Sequence, residues 1–248
     1  METDHFFIVG AQRAGTTYLY HILDQHPEIA MARPIRPEPK FFLSQEEFAK
    51  GKKYYLQTFF LPDEKTRIYG EKSTSYLETL ESALRIKEMF PRAKIIITLR
   101  NPVFRAVSNY FFSFRNGLET RSLKDALTSE VRYNKEYSTS VSPYDYLKRG
   151  HYVSFLKTYY KLFDPENIRI LIFTRFAGNP SAVASLFGFL DVDRKFIPER
   201  LSEKINTNDL VYDIEPEVLK YLNSYFKSHI RELEEFLEIS LDEWKVQE

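Results

Sequence analysis

Cysteine is absent from the 248 residues, which excludes disulfide bridges, cysteine-ligated zinc and a thiol nucleophile together. Neither sign of charge is in excess. The 35 basic and 35 acidic residues give a formal net charge of +0, which argues against wholesale nucleic-acid binding and leaves room for a local basic pocket. No apolar run approaches the roughly 20 residues that span a bilayer. No signal-peptide core precedes the first apolar segment, Phe6-Phe7-Ile8-Val9. The expectation is a cytoplasmic chain with no integral membrane segment, unless a targeting segment has been removed. His5, His21, His26 and His229 read as structural, and no metal-ligand spacing is present. Repeats, low-complexity tracts and linkers are also lacking, so residues 1–248 read as one domain.

What is plentiful is apolar and aromatic: 43% and 16% of the residues, enough for a sizeable core and outside the composition of disordered chains. His5–Val9 reads as a short buried strand ended by Gly10. Thr16 or Thr17 opens a helix, with Leu19, Ile22 and Leu23 at helical spacing and Pro27 closing it. Pro34, Pro37 and Pro39 forbid regular structure across that stretch. A helix is expected around Tyr54–Phe60, a strand at Arg67–Glu71 and a helix from Leu77 to Phe90. Lys94–Leu99 is an almost continuous β-branched run that suits a central parallel strand. Asn101-Pro102 then caps and starts a helix running to about Phe114. Helices are further expected at Leu123–Lys135, Tyr144–Phe163, up to about Leu190, Glu217–Phe226 and Ile230–Leu237, with one more strand at Ile168–Phe173. Strands alternating with helices indicate a mostly parallel central sheet covered on both sides.

The informative stretch is Gly10-Ala11-Gln12-Arg13-Ala14-Gly15-Thr16-Thr17, placed between the first strand and the first helix. Backbone N–H groups of such a turn, with the free amides of the helix start, can hold a phosphate. The Walker A template asks for Gly, four residues, Gly, Lys and then Ser or Thr. Gly10, Gly15 and Thr17 fit, Thr16 stands where the lysine belongs, and Arg13 is the only cation in the loop. The same glycines could serve a tight turn with no ligand. The preceding strand, the Thr-Thr helix start and Arg13 favour an anion cradle, one without the usual γ-phosphate and Mg²⁺ hardware. The fold class is therefore α/β, a P-loop-containing three-layer fold with helices flanking the sheet.

The segment Gly10–Leu19 resembles the 5′-phosphosulfate loop of sulfotransferases that use 3′-phosphoadenosine 5′-phosphosulfate (PAPS). Leu99-Arg100-Asn101-Pro102-Val103-Phe104-Arg105-Ala106-Val107-Ser108 is similar to the same family's 3′-phosphate element. The likeness is nearest to the carbohydrate (heparan-sulfate-type) and tyrosylprotein branches and their bacterial relatives. It covers residues 6–110 well and the C-terminal half loosely. It implies PAPS as co-substrate and no metal, with Gln12, Arg13, Ala14, Gly15, Thr16 and Thr17 binding its 5′ end, and with Tyr18, at a position where some members set an aromatic against adenine, and Tyr152 also binding the cofactor. Arg100 and Ser108 would grip the 3′-phosphate. Arg100 also falls at a strand's carboxyl end, where open α/β sheets bind ligands, and a guanidinium is a bidentate partner for phosphate. Arg105 and Ser108 share a helix face by spacing.

Sulfuryl transfer needs a group to take the acceptor's proton. The cytosolic branch's histidine has no counterpart in Tyr69-Gly70-Glu71-Lys72-Ser73. Pro37-Glu38-Pro39-Lys40-Phe41-Phe42 is instead similar to the carbohydrate branch's glutamate segment, which implies Glu38 as base. A solvated loop carboxylate is the commoner fate of a glutamate. Gly70–Tyr76 resembles a family element that commonly reads Glu-Lys-Ser/Thr-Pro-x-Tyr. The resemblance places Lys72 near the sulfuryl group, and Thr74 stands where proline is common. Arg13 and Lys72 would stabilise the charge of the transition state. Tyr18 and Tyr152 match aromatic positions of the family, although core packing would explain both. Arg194–Asn208, with Lys195, Arg200 and Lys204, matches no family loop.

The expected enzyme is a sulfotransferase whose acceptor could be a carbohydrate, a lipid, a natural product or a peptide tyrosine, with no nucleic-acid partner. A P-loop kinase of a nucleoside or small metabolite, or a non-catalytic PAPS-binding protein, are the alternatives. The kinase would want a lysine at position 16 and an acidic residue after a central strand, where this chain has Thr16 and Arg100.

Overall fold

A computed structural model describes residues 4–128, 143–202 and 214–245. Backbone proximity sorts the chain into two compact units, Met1–Leu99 with Thr158–Thr207 and Arg100–Lys157 with Asn208–Glu248.

The first unit is built on a five-stranded, all-parallel sheet in the order β2-β3-β1-β4-β5. In chain order, β1 is Asp4–Gly10, α1 Thr16–Asp24, β2 Ile29–Met31, α2 Gln45–Phe48 and α3 Gly51–Phe59. There follow β3 Ile68–Lys72, α4 Leu80–Met89, β4 Lys94–Leu99, α5 Pro102–Arg115, α6 Leu123–Thr128 and α7 Tyr152–Leu162. The chain closes with β5 Ile168–Ile172, α8 Phe173–Phe176, α9 Pro180–Phe189 and α10 Pro216–Leu237.

Strand alternation sends successive side chains of β1 to opposite faces, and both faces are covered. Phe6 and Ile8 join Leu19, Ile22 and Leu23 of α1 and Val183, Leu186 and Phe187 of α9. Phe7, on the other face, packs with ring centroids 5.4 Å from Phe42 and 5.6 Å from Phe90. Burial on both faces explains the unbroken apolar runs of β1 and β4. Each such layer contributes roughly 1.5–3 kcal/mol per fully buried large apolar side chain.

The second unit contains α5, α6 and α10. Pro102 at the first helical position and Asn101 as cap begin α5, with the Asn101 side chain accepting from Val103 N–H at 2.9 Å. Along α10 the buried residues Val218, Leu222, Phe226, Ile230 and Leu233 recur at helical spacing. A Cβ on Gly150 would lie 2.5 Å from the Phe226 ring and 2.9 Å from Pro102, so glycine is required for that approach.

Several expected elements take a different form. The two C-terminal helices are one, because Lys227–His229 contains neither proline nor glycine and Phe226 and Ile230 continue one buried stripe. The helix expected from Tyr144 begins only at Tyr152, after a short 3₁₀ turn at Lys148–Gly150. Beyond Thr128, the helix expected through Lys135 lies outside the described residues. The three-residue strand β2 was not foreseen; Ile29-Ala30-Met31 is too short to show a period and forms by pairing with β3.

Candidate functional site

The loop after β1 is fastened to β4 before it turns. Ala11 N–H donates to Thr98 O at 2.8 Å, and Thr98 Oγ1–H donates to Gly10 O at 3.2 Å. The connection leaving β1 leads toward the β2 edge and the one leaving β4 toward β5, so their carboxyl ends mark the switch point where open α/β sheets bind ligands. Gly15 has φ 84°, and a Cβ there would meet the Phe173 ring at 2.1 Å. Glycine thus serves both a left-handed backbone and a close approach. Arg13 also adopts positive φ, 66°. Thr16 and Thr17 open α1, whose Gly15 cap supplies no side-chain hydrogen bond and whose first turn carries no acidic residue. A helix N-terminus of this kind suits an anion. Gln12, Arg13 and Thr17 are partly exposed, Ala14 and Thr16 buried.

Tyr18 sits inside the wall behind this loop, 2% exposed, with its ring edge-on to Phe173 and Phe176. Its hydroxyl accepts from Gly178 N–H at 2.9 Å and donates to Leu201 O at 3.0 Å. Those contacts tie α1 to the turn before α9 and to the segment following it. The described part of Arg194–Asn208 packs back on the core, with Phe196 against His26 and Phe187; residues 203–208 lie outside the described residues.

On the neighbouring strand, Lys72 ends β3 in register with Ile8 of β1. Its ammonium, 4% exposed, forms an ion pair with Glu38, whose side chain is 16% exposed. Glu38 lies in the irregular proline segment and is further held by Thr74. The Thr74 backbone N–H donates to Glu38 Oε2 at 3.0 Å, and the Thr74 hydroxyl donates at 3.1 and 3.2 Å. Sequence reasoning named Glu38 and Lys72 separately; the structure brings them into direct contact. Sequence reasoning noted Thr74 only as a departure from the family's proline, and it missed Glu71, a buried carboxylate that accepts from Tyr55, Ser73 and Tyr76. The signal for Glu71 was its place in a short, otherwise buried strand, where a charge needs partners.

In the second unit, Arg100 leads into the Asn101 cap. Tyr152 is 3% exposed, and its hydroxyl donates to the Arg100 carbonyl at 2.7 Å. Asn101 Nδ2 donates to Trp244 O at 2.8 Å, holding the C-terminal turn on the same corner. Burial pushes the Tyr152 phenol up to about 12, so it stays a neutral donor. Ser108 and Arg105 are both buried on α5, as their spacing implied. Arg105 donates to Asn109 Oδ1 at 3.2 Å and to the Tyr146 carbonyl. Tyr152 thus meets the backbone of Arg100 rather than standing as an isolated core ring.

Comparison with known proteins establishes the family. The sulfotransferase domain family model matches residues 3–211, and the chain belongs to that family, a class of enzymes that transfer sulfate. A heparan sulfate N-deacetylase/N-sulfotransferase 1 from Caenorhabditis briggsae is 31% identical over 194 residues, 75% of this chain and 22% of the relative. The chain therefore spans about a fifth of that relative's length. A solved sulfotransferase from Alicyclobacillus acidocaldarius is 29% identical, with a TM-score of 0.76 over 99% of this chain and 100% of the other. A mouse sulfotransferase solved with PAP shares the fold, at 14% identity and a TM-score of 0.58, over 96% of this chain and 89% of the other.

Proposed function

We propose that the chain transfers a sulfuryl group from PAPS to an acceptor hydroxyl, or an amine, by in-line attack. The observation that carries this reading is the Glu38–Lys72 pair at the end of β3, beside a β1–α1 loop whose helix amides have no side-chain cap. Gln12, Arg13, Ala14, Gly15, Thr16 and Thr17 hold the 5′-phosphosulfate, and Tyr18 braces the helix that presents it. The 3′-phosphate is assigned to Arg100 and Ser108, with Tyr152 fixing the Arg100 backbone.

Glu38 takes the proton of the acceptor as its oxygen bonds to sulfur. The bond from sulfur to the 5′-phosphate oxygen breaks, that oxygen keeps the electron pair, and 3′-phosphoadenosine 5′-phosphate leaves. Arg13 and Lys72 offset the negative charge that builds on the bridging oxygen. Arg13 acts by charge alone because a guanidinium keeps its proton; Lys72 can also donate one. The N-sulfotransferase relative makes an amino-bearing or hydroxyl-bearing carbohydrate the first acceptor class to screen. Lipid, natural-product and tyrosine acceptors form the rest of that screen.

Transfer of labelled sulfate from PAPS, with calorimetric titration of the bisphosphate product, tests the reading. Binding of ATP in preference to that bisphosphate would favour a P-loop kinase instead. Bisphosphate binding with no transfer to any acceptor class would favour a non-catalytic binding protein.

A further inference from the structure

Glu71 is a buried titratable group to which the steps above give no part. It is 1% exposed on β3. Its Oε1 accepts from Ser73 and Tyr76 and its Oε2 from Tyr55, each at 2.6 Å. Burial pushes its carboxyl above the ordinary value; the three hydroxyl donors pull it back, and the Glu38 carboxylate adds a push upward. An ionised carboxylate only accepts hydrogen bonds, and three donors suit that form. Burying one is costly unless its partners are in place.

Two of those donors also accept, and what they accept comes from the segment that carries Glu38. Ser73 Oγ takes the Lys40 N–H at 2.9 Å, and Tyr76 OH takes the Phe42 N–H at 3.1 Å. Pro37 and Pro39, on either side of Glu38, have no N–H of their own to anchor the chain. Glu71 is also the residue before Lys72, so one carboxylate reaches both members of the Glu38–Lys72 pair. It reaches the lysine through the strand and the glutamate through Ser73 and Tyr76.

We propose that Glu71 is a positioning residue for sulfuryl transfer, holding Ser73 and Tyr76 so that the Lys40–Phe42 segment presents Glu38 to Lys72 and Thr74. This rests on the reading of Glu38 as the base. Glutamine at position 71 keeps the shape but offers one accepting oxygen and an NH₂ that donates, so the three hydroxyls can no longer all donate to it and at least one must turn round.

The test compares wild type, E71Q, E38Q, the E38Q/E71Q double variant, Y55F and Y76F in kcat, acceptor KM, pH–rate profile and bisphosphate titration. E71Q is expected to lower kcat about 10–100-fold, the size of effect that a misplaced reacting group has, with bisphosphate affinity within about threefold of wild type. Because Glu71 acts through Glu38, the double variant is expected to be no slower than E38Q. Y76F is expected to cost more kcat than Y55F, since Tyr76 passes its bond on to Phe42 and Tyr55 does not. Should E71Q fail to fold, the Y76F–Y55F comparison alone decides. Wild-type turnover in E71Q, a double variant slowed by the full E71Q factor beyond E38Q, or equal losses in Y55F and Y76F would each overturn the proposal. Wild-type turnover in E38Q would instead remove the base assignment. An inactive E38Q beside a fully active E71Q would remove only the role given to Glu71.

Discussion

Thr74 holds Glu38 through both its backbone and its side chain: its N–H donates to Oε2 at 3.0 Å, and its hydroxyl lies 3.1 and 3.2 Å from the two carboxylate oxygens. The family element that this stretch resembles commonly has proline here, and proline has no N–H to give. A carboxylate offers about four accepting positions. Lys72 Nζ, Thr74 N and Thr74 Oγ1 occupy three, which leaves one for an acceptor hydroxyl.

Substitutions at Thr74 should therefore grade the activity. Thr74→Ser keeps both donors and should stay near wild type. Thr74→Val keeps the N–H alone and should lose about tenfold in kcat, and Thr74→Pro loses both and should fall about 100-fold, on the usual value of hydrogen bonds to a charged group. Steady-state kinetics with a parallel bisphosphate titration measures this. Equal activity in all three variants would show that Glu38 does not depend on Thr74.

Gly15→Ala should disable the donor loop. The added Cβ would meet Phe173 at 2.1 Å from a backbone with φ 84°, a conformation that costs a non-glycine residue about 1–3 kcal/mol before the clash is counted. Thermal unfolding should shift down and bisphosphate binding should weaken at least about tenfold. A variant with unchanged binding would contradict the loop's assignment.

Arg100→Lys and Tyr152→Phe should affect the 3′-phosphate alone. Lysine loses the bidentate geometry, so affinity for the 3′,5′-bisphosphate should drop about tenfold or more while affinity for the 5′-monophosphate holds. Tyr152→Phe removes the bond to the Arg100 carbonyl and should give a smaller loss of about 1 kcal/mol in the same direction. Calorimetry with both nucleotides separates the effects.

His151 makes stability fall with acid. Burial first, then His229, Lys148 and Arg105, push its imidazole down to about 4 from an ordinary 6.5. The unfolded chain binds this proton below about pH 6.5 and the folded chain only near pH 4, so the stabilisation is complete above that window and drains as pH drops through it. Discounted for a ring that is only half-buried, the difference between pH 7.5 and 5 should be about 1 kcal/mol. Urea unfolding at the two pH values measures it, and His151→Gln should remove that share of the slope.

The sheet and the glycine turn between β1 and α1 were legible in the sequence because each rests on local rules. Buried parallel strands show as continuous apolar runs, and Gly15 must be glycine. Helix boundaries near Gly150 and at Lys227–His229 were not legible, since tertiary packing of Phe226, Pro102 and Ile230 decides them. Glu38 and Lys72 were nameable by resemblance, but their contact joins residues 34 positions apart. The contacts of Glu71 and Thr74 were hidden for the same reason: hydrogen bonds to Tyr55, Tyr76 and Glu38 depend on how the proline segment folds over β3.

Glu38→Gln decides most directly between a proton-taking glutamate and a merely structural one. Sulfate transfer from labelled PAPS should fall about 10²–10⁴-fold, the range for loss of a general base, while the bisphosphate titrates with nearly unchanged affinity. Full turnover in Glu38→Gln, with the nucleotide still bound, would contradict the assignment of Glu38 as the base.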